Sequence, residues 1–232
     1  MLVLEKLSKR ALIGHRGLPA RELENTLRSI QKAMEAGADI VEVDIQRTKD
    51  GVLVLSHDEN LKRTFGVDLN IREAFWEELR KVSKNGYSLA RLEEALELVK
   101  GRVGMFLEVK HREDATPVLE LVEGMGAREW VAVISFHPEA LEALKGRVIT
   151  GLVYAKPPGF IPEAKKMGCS IVLPKYALAT QKAVDFAHRL KLSVVAWTVN
   201  EPERAKELFE RGVDGVATDN VEELKTALKV LK

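Results

Sequence analysis

In Val41-Glu42-Val43-Asp44-Ile45 two acids alternate with branched apolar residues. The two-residue period of a strand puts both carboxylates on one face and the apolar side chains on the other. A second run, Phe106-Leu107-Glu108-Val109-Lys110, sets Glu108 and Lys110 on one face at its C-terminal end. If neighbouring strands aim Glu42, Asp44 and Glu108 at one spot, the carboxylates repel and raise one another's pKa. A divalent cation removes that penalty and leaves all three ionised. Oxygen-only ligation selects a hard ion, Mg²⁺ or Ca²⁺, with Mn²⁺ also admissible. The competing reading is a Glu108–Lys110 ion pair beside two unrelated acids.

Two histidines fall near these acids. His15 closes an apolar run inside Gly14-His15-Arg16-Gly17, where flanking glycines let the backbone come close to a ligand. His57 follows two extended runs around Asp50-Gly51. A two-residue turn there pairs Lys49 with Val52 and, continuing outward, Asp44 with His57. Two imidazoles beside an acidic cluster supply a general base and a general acid near neutral pH, though either is also a possible metal ligand. Arg16, with its two-armed fork, and Lys110, as a point charge, are suited to an anionic phosphoryl group or to ion pairs. Trp197 and Phe136 are candidates for the wall of a substrate pocket. His111, His137 and His188 carry no assignment.

Short apolar runs occur at residues 11–14, 40–45, 104–109, 131–135, 149–153, 170–173, 192–197 and 215–218. Between them lie amphipathic stretches at 26–36, 92–100, 116–124, 138–144, 162–166, 181–190, 202–211 and 221–231, with apolar residues three or four apart. Strand–helix alternation repeated eight times predicts an α/β fold, a (β/α)8 TIM-type barrel over residues 1–232 as a single domain. An open doubly wound sheet gives similar local patterns, but no Gly-x-Gly-x-x-Gly turn follows the first strand. Residues 46–57 read as a β-hairpin extending strand 2. The polar stretch 59–91, with a short helix predicted over 72–82, reads as a small insertion in the second β/α connection.

The chain has 232 residues and a formal net charge of +1, without the basic excess of a nucleic-acid binder. A small-molecule partner is therefore expected, and no nucleic acid. The single cysteine, Cys169, rules out an intramolecular disulfide and a thiolate zinc site. No apolar run reaches the length of a membrane span or secretory h-region, so a cytoplasmic protein without stable membrane association is expected.

These residues belong to a recognisable pattern: the chain resembles the glycerophosphodiester phosphodiesterases, of the small prokaryotic type. The match runs through Gly14-His15-Arg16-Gly17, Glu24-Asn25-Thr26, Gly37-Ala38-Asp39 to Glu42-Val43-Asp44, Thr48-Lys49-Asp50-Gly51, and His57-Asp58 with Leu61 and Arg63-Thr64. It continues in Leu107-Glu108-Val109-Lys110, Ser135-Phe136, Trp197-Thr198-Val199-Asn200, Gly212-Val213-Asp214-Gly215 and Thr218-Asp219. The resemblance implies His15 and His57 as the catalytic acid–base pair, and Glu42, Asp44 and Glu108 as ligands of one divalent cation that also binds the glycerol 2-hydroxyl. It implies Arg16 and Lys110 as phosphate contacts. The reaction would convert a glycerophosphodiester to glycerol phosphate and an alcohol. A lysophospholipase D acting on lysolipids with the same residues, or an inactive phosphate-binding barrel, are the alternatives. Two segments depart from the family pattern: Ala90-Arg91-Leu92-Glu93-Glu94 stands where Pro-Thr-Leu-Glu-Glu is usual, and Asn220-Val221 replaces the proline after Thr218-Asp219.

Overall fold

A computed structural model describes residues 2–157 and 160–230. Its frame is a ring of parallel strands: β1 (Ala11–Gly14), β2 (Ile40–Arg47), β6 (Gly104–Val109), β7 (Val131–Ser135), β8 (Ile149–Tyr154), β9 (Ile171–Pro174), β10 (Ser193–Ala196) and β11 (Gly215–Thr218). The ring closes because β1 pairs in parallel with both β2 and β11. An open doubly wound sheet is thereby excluded, and the (β/α)8 barrel expected from the alternation is what forms. The strands are buried on both faces, and this is why they read as near-continuous apolar runs.

Around the ring lie α2 (Leu27–Glu35), α5 (Leu92–Val99), α6 (Ala115–Gly124), α7 (Pro138–Glu142), α8 (Ile161–Met167), α9 (Gln181–Arg189), α10 (Pro202–Glu210) and α11 (Val221–Val230). They pack on outward-facing residues such as Val41, Val43, Leu107 and Val133. Leu231, the end of the last predicted helix, lies outside the described residues. Among the described residues no helix is long and apolar enough to cross a membrane.

The barrel interior explains where the polar groups must go. Ile13, Ile40, Phe106, Ala132, Ile171 and Val195 fill its lower layers. A short helix not anticipated from the sequence, α1 (Leu2–Leu7), presses Val3 and Leu7 into this cluster and plugs the bottom. Space there is tight: a Cβ at Gly104 would meet Ile40 at 3.0 Å and Val3 at 3.1 Å. Truncating a buried leucine such as Leu7 to alanine costs about 2–5 kcal/mol. With the bottom sealed by apolar packing, the interior acids lie above it: Glu42 and Asp44 are the third and fifth residues of β2, and Glu108, beside Asp44, is near the C-terminal end of β6.

The hairpin corrects one expectation. β3 (Leu53–Leu55) pairs antiparallel with β2, but with Ile45 opposite Leu55 and Arg47 opposite Leu53, one residue out of the predicted register. Asp44 is therefore opposite Ser56, whose N–H donates to the Asp44 carbonyl at 3.0 Å, and not opposite His57. The cause is Thr48: its Oγ1 accepts from Val52 N at 2.9 Å and donates to Asp50 Oδ1 at 2.6 Å. This makes a three-residue loop with Gly51 at φ +90°.

The helix predicted over 72–82 is also broken. A 3-10 turn (Ile71–Glu73) and a single α-turn, α4 (Trp76–Leu79), flank an extended Ala74-Phe75. The hairpin tip pulls that backbone out: Lys49 N donates to Ala74 O at 3.0 Å, and Asp50 Oδ1 accepts from Trp76 N at 3.0 Å. With α3 (Lys62–Phe65) these turns cover a satellite apolar cluster of Val54, Leu61, Phe65, Ile71 and Leu79, and a short antiparallel ribbon of β4 (Ser83–Lys84) and β5 (Tyr87–Ser88) follows before α5.

Candidate active site

The loop after β1 is the tightest piece of the site. Arg16 and Gly17 both adopt left-handed backbone, φ 55° and 89°, a conformation uncommon for a residue with a side chain. Ser29 of α2 holds the turn, its Oγ accepting from Leu18 N at 2.8 Å and donating to Arg16 O at 3.1 Å. A Cβ at Gly17 would lie 2.4 Å from that Oγ, so only glycine fits. The result aims the Arg16 N–H at Glu42 Oε2, 2.9 Å away.

Parallel pairing sets Glu42 beside Phe106 and Asp44 beside Glu108. The three carboxylates offer oxygens all within 4.8 Å of one another. Lys110 Nζ lies 2.6 Å from Asp44 Oδ1 and also binds Glu108. Arg16 Nε lies 3.1 Å from Asp44 Oδ2. The Glu108–Lys110 pair thus exists, but the acids around it are not unrelated. Asp44 is also gripped by Asn25, whose amide donates to Oδ2 at 2.9 Å and accepts from Asp44 N at 3.0 Å.

Burial drives the Asp44 carboxyl up, yet Lys110 and Arg16 outweigh it and hold it below its ordinary value. Glu42 has no such cation: burial first, then the charge of Asp44, push it up to about 8. Glu108 is raised for the same two reasons, Lys110 only partly offsetting them. Glu42 Oε1 is buried with no hydrogen-bond partner. Two cations thus face three carboxylates, and one oxygen is orphaned; a hard divalent cation fits that deficit and that donor set.

Each of the two cavity histidines is held by an aspartate. His15 Nδ1 lies 2.8 Å from Asp219 Oδ1. Burial disfavours its charged form, but the Asp219 hydrogen bond and the Glu42 charge prevail and raise the His15 pKa. His57 Nδ1 lies 2.6 Å from Asp58 Oδ1. A carboxylate accepting from Nδ1–H leaves Nε2 as the free nitrogen. Asp219 in turn accepts from the Asn200 amide at 2.8 Å. Asp58, Asp219, Asn25 and Glu24 received no role from the sequence, although Asp58 adjoins His57 and Asp219 closes a matched motif.

His15, Arg16, Glu42, His57, Glu108, Lys110 and Trp197 line one cavity of about 180 Å³. Asp44 is not on its wall but joins the cluster through Lys110 and Arg16. The opposite wall is apolar: Ile134, Phe136, Val153, Leu173 and Ala217. Phe136 meets Trp197 edge-on, centroids 5.6 Å apart, and Trp197 Nε1 is used on Leu173 O at 2.7 Å. The remaining histidines stand off the cavity wall: His111 pairs with Glu59 at 3.0 Å, His188 with Asp214 at 2.8 Å, and His137 stands at the N-cap position of α7.

Comparison with known proteins identifies the family. The sequence profile of the Glycerophosphoryl diester phosphodiesterase family matches residues 15–223. A glycerophosphodiester phosphodiesterase of Bacillus altitudinis is 29% identical over 230 residues, covering 90% of this chain and 94% of the relative. The crystal structure of the glycerophosphodiester phosphodiesterase from Thermotoga maritima is 33% identical, with a TM-score of 0.84 over 94% of this chain and 97% of its own. An Oleispira antarctica phosphodiesterase, solved with the product sn-glycerol-3-phosphate, shares the fold at 24% identity, TM-score 0.86, over 94% of this chain and 96% of its own. On the profile match and the barrel it shares with these proteins, the chain belongs to the glycerophosphoryl diester phosphodiesterase family.

Proposed function

We propose that this protein hydrolyses glycerophosphodiesters to glycerol phosphate and an alcohol, with His15 and His57 as the acid–base pair and Glu42, Asp44 and Glu108 as ligands of one divalent cation, Mg²⁺, Ca²⁺ or Mn²⁺. The observation that carries this reading is the single cavity on which both imidazoles, the acidic cluster and two cationic side chains open. When bound, the cation would supply charge neutralisation and polarisation of the phosphoryl oxygens.

Arg16 and Lys110 bring fixed positive charge to the phosphoryl group. His15, whose charged form is favoured by Asp219, is the proton donor. It gives its Nε2 proton to the departing alkoxide as the P–O bond to the alcohol breaks. His57, with Nδ1 turned to Asp58, offers the Nε2 lone pair. It takes the proton of the attacking oxygen as the new P–O bond forms; that oxygen is either water, which yields glycerol phosphate directly, or the glycerol 2-hydroxyl, whose cyclic phosphate water then opens. Phe136 and Trp197 wall the cavity and limit access of bulk water. In this reading the catalytic unit is the barrel as one domain, and residues 59–91 are an insertion at its mouth.

The test is turnover of glycerophosphocholine by chelator-treated protein, then after addition of each of the three ions. Release of glycerol phosphate that chelation abolishes and one ion restores is the expected result. No turnover of glycerophosphocholine, nor of lysophosphatidylcholine, with any of them would leave a phosphate-binding barrel as the reading.

A further inference from the structure

Arg63 is not on the cavity wall, yet it holds two acids that serve different halves of the site. Its Nε lies 2.5 Å from Asp58 Oδ2. Its terminal nitrogens lie 3.0 Å from Glu24 Oε2 and 2.6 Å from Glu24 Oε1. The second oxygen of Asp58 is the partner of His57 Nδ1, and Glu24 Oε1 lies 3.1 Å from an Arg16 terminal nitrogen. One unbroken chain therefore runs His57–Asp58–Arg63–Glu24–Arg16. It joins an imidazole on the loop after β3 to a guanidinium on the loop after β1.

We propose that Arg63 is a positioning residue, setting His57 and Arg16 in register with each other; this rests on the acid–base and phosphate roles proposed above. His57 lies beyond the last paired residue of β3, and its side chain is 39% exposed. Its ring orientation accordingly depends on Asp58. Asp58 is tied through its side chain to His57 and to Arg63 alone among the described residues. Glu24 lies between Arg63 and Arg16 with its side chain 15% exposed. Only a planar fork satisfies two carboxylates at a fixed mutual angle; a lysine ammonium gives a point charge with no such angle. The segment that carries Arg63 is itself anchored, since Leu61 and Phe65 on either side of it are buried in the satellite cluster. Outer hydrogen-bond partners, best documented around metal ligands, typically cost about 10-fold to 100-fold in metal affinity or activity when removed, and the same scale applies to a bridge that orients an acid–base residue.

The rival reading is that Arg63 merely pins α3 to the barrel. The experiment compares wild type, R63A, R63K, D58N and R63A/D58N as metal-saturated full-length proteins, reading kcat, KM and Tm. It also reads the His57 tautomer by ¹⁵N NMR of histidine-labelled protein. Expected are a kcat for R63A lowered about 10-fold to 100-fold, a raised KM, and a double variant no slower than D58N alone. R63K should recover Tm but not kcat. The NMR signal of His57 should pass from one Nδ1–H form in wild type to a tautomer mixture in R63A. The proposal is overturned by R63A or R63K turning over within twofold of wild type, by losses in R63A and D58N that multiply, or by an unchanged His57 tautomer in R63A. Should wild type fail to turn over any glycerophosphodiester, the functional reading falls, while the tautomer still decides whether Arg63 positions His57.

Discussion

His15 and Asp219 meet at 2.8 Å although 204 residues separate them in the chain. The contact exists because β1 and β11 are neighbours in the closed ring, with Gly14 opposite Thr218. The other dyad, His57–Asp58, joins adjacent residues at the hairpin's end. One imidazole is thus oriented by the topology of the barrel and the other by local sequence.

The first prediction concerns that topological dyad. In D219N the imidazolium loses its strongest favourable partner while burial, which disfavours charge, remains. The His15 pKa should fall, and the basic limb of the kcat/KM profile should move to lower pH. The rate near pH 8 should drop about 10-fold or more, within the usual range for general acid–base catalysis. A profile superimposable on wild type would remove Asp219 from the mechanism.

For the histidines themselves, H15A and H57A should each lower kcat by about 10² or more without abolishing metal binding. Titrating excess Mg²⁺, Ca²⁺ or Mn²⁺ into either variant discriminates the two roles. Recovery to the wild-type rate would identify that histidine as a ligand.

How much of this was readable beforehand depended on which residues carried the information. Val41, Val43 and Ile45 alternate with Glu42 and Asp44, so the strand and its polar face were both legible. The same holds for Leu107 and Val109 around Glu108. The placement of His57 near the acids was reached through a register that does not occur. Thr48 closes a three-residue loop through its hydroxyl, a side-chain effect that the Asp-Gly dipeptide alone conceals. His57 arrives at the cavity because the chain leaves β3 after Leu55. The Asp219 contact needed the ring closure, and the Arg63 bridge needed the fold of residues 59–91. The plug α1 was invisible for another reason: six residues are too few for a periodicity to stand out.

The metal cluster yields a prediction with a defined sign. In metal-free protein Glu42 is pushed up to about 8, so from its unfolded value to that point the folded state keeps a proton the unfolded state has lost. Stability should decline as pH rises through that window. Cation binding should release a proton there, and affinity should climb with pH and level off above it. E42Q should remove the decline, hold or raise Tm in metal-free buffer, and abolish metal-dependent turnover; E108Q should also abolish turnover. Calorimetry in buffers of differing ionisation enthalpy measures the proton. Near-full activity of E42Q at limiting metal would overturn the ligand assignment.

The last prediction is a preference for water-soluble, deacylated glycerophosphodiesters over lysolipids. The cavity of about 180 Å³ lies below the roughly 300–1,000 Å³ typical of pockets that enclose drug-sized ligands. It suits a glycerophosphoryl group better than an added acyl chain. The aromatics of residues 59–91 do not extend it. Phe75 is 51% exposed under Lys49, and Trp76 packs on the satellite cluster beneath Arg91. Neither lines the cavity. Among the described residues the exposed large apolar side chains are scattered over separate connections: Val67 and Phe75 in residues 59–91, Phe136 after β7 and Phe160 after β8. A protein drawing substrate from a bilayer would group such side chains into one patch or a basic amphipathic helix. The deciding quantity is the ratio of kcat/KM for glycerophosphocholine to that for lysophosphatidylcholine, with the same metal and below the lipid's micelle concentration. A ratio favouring the lysolipid by about tenfold, about 1.4 kcal/mol of transition-state discrimination, would reverse the preference and make lysophospholipase D chemistry the better description of the site.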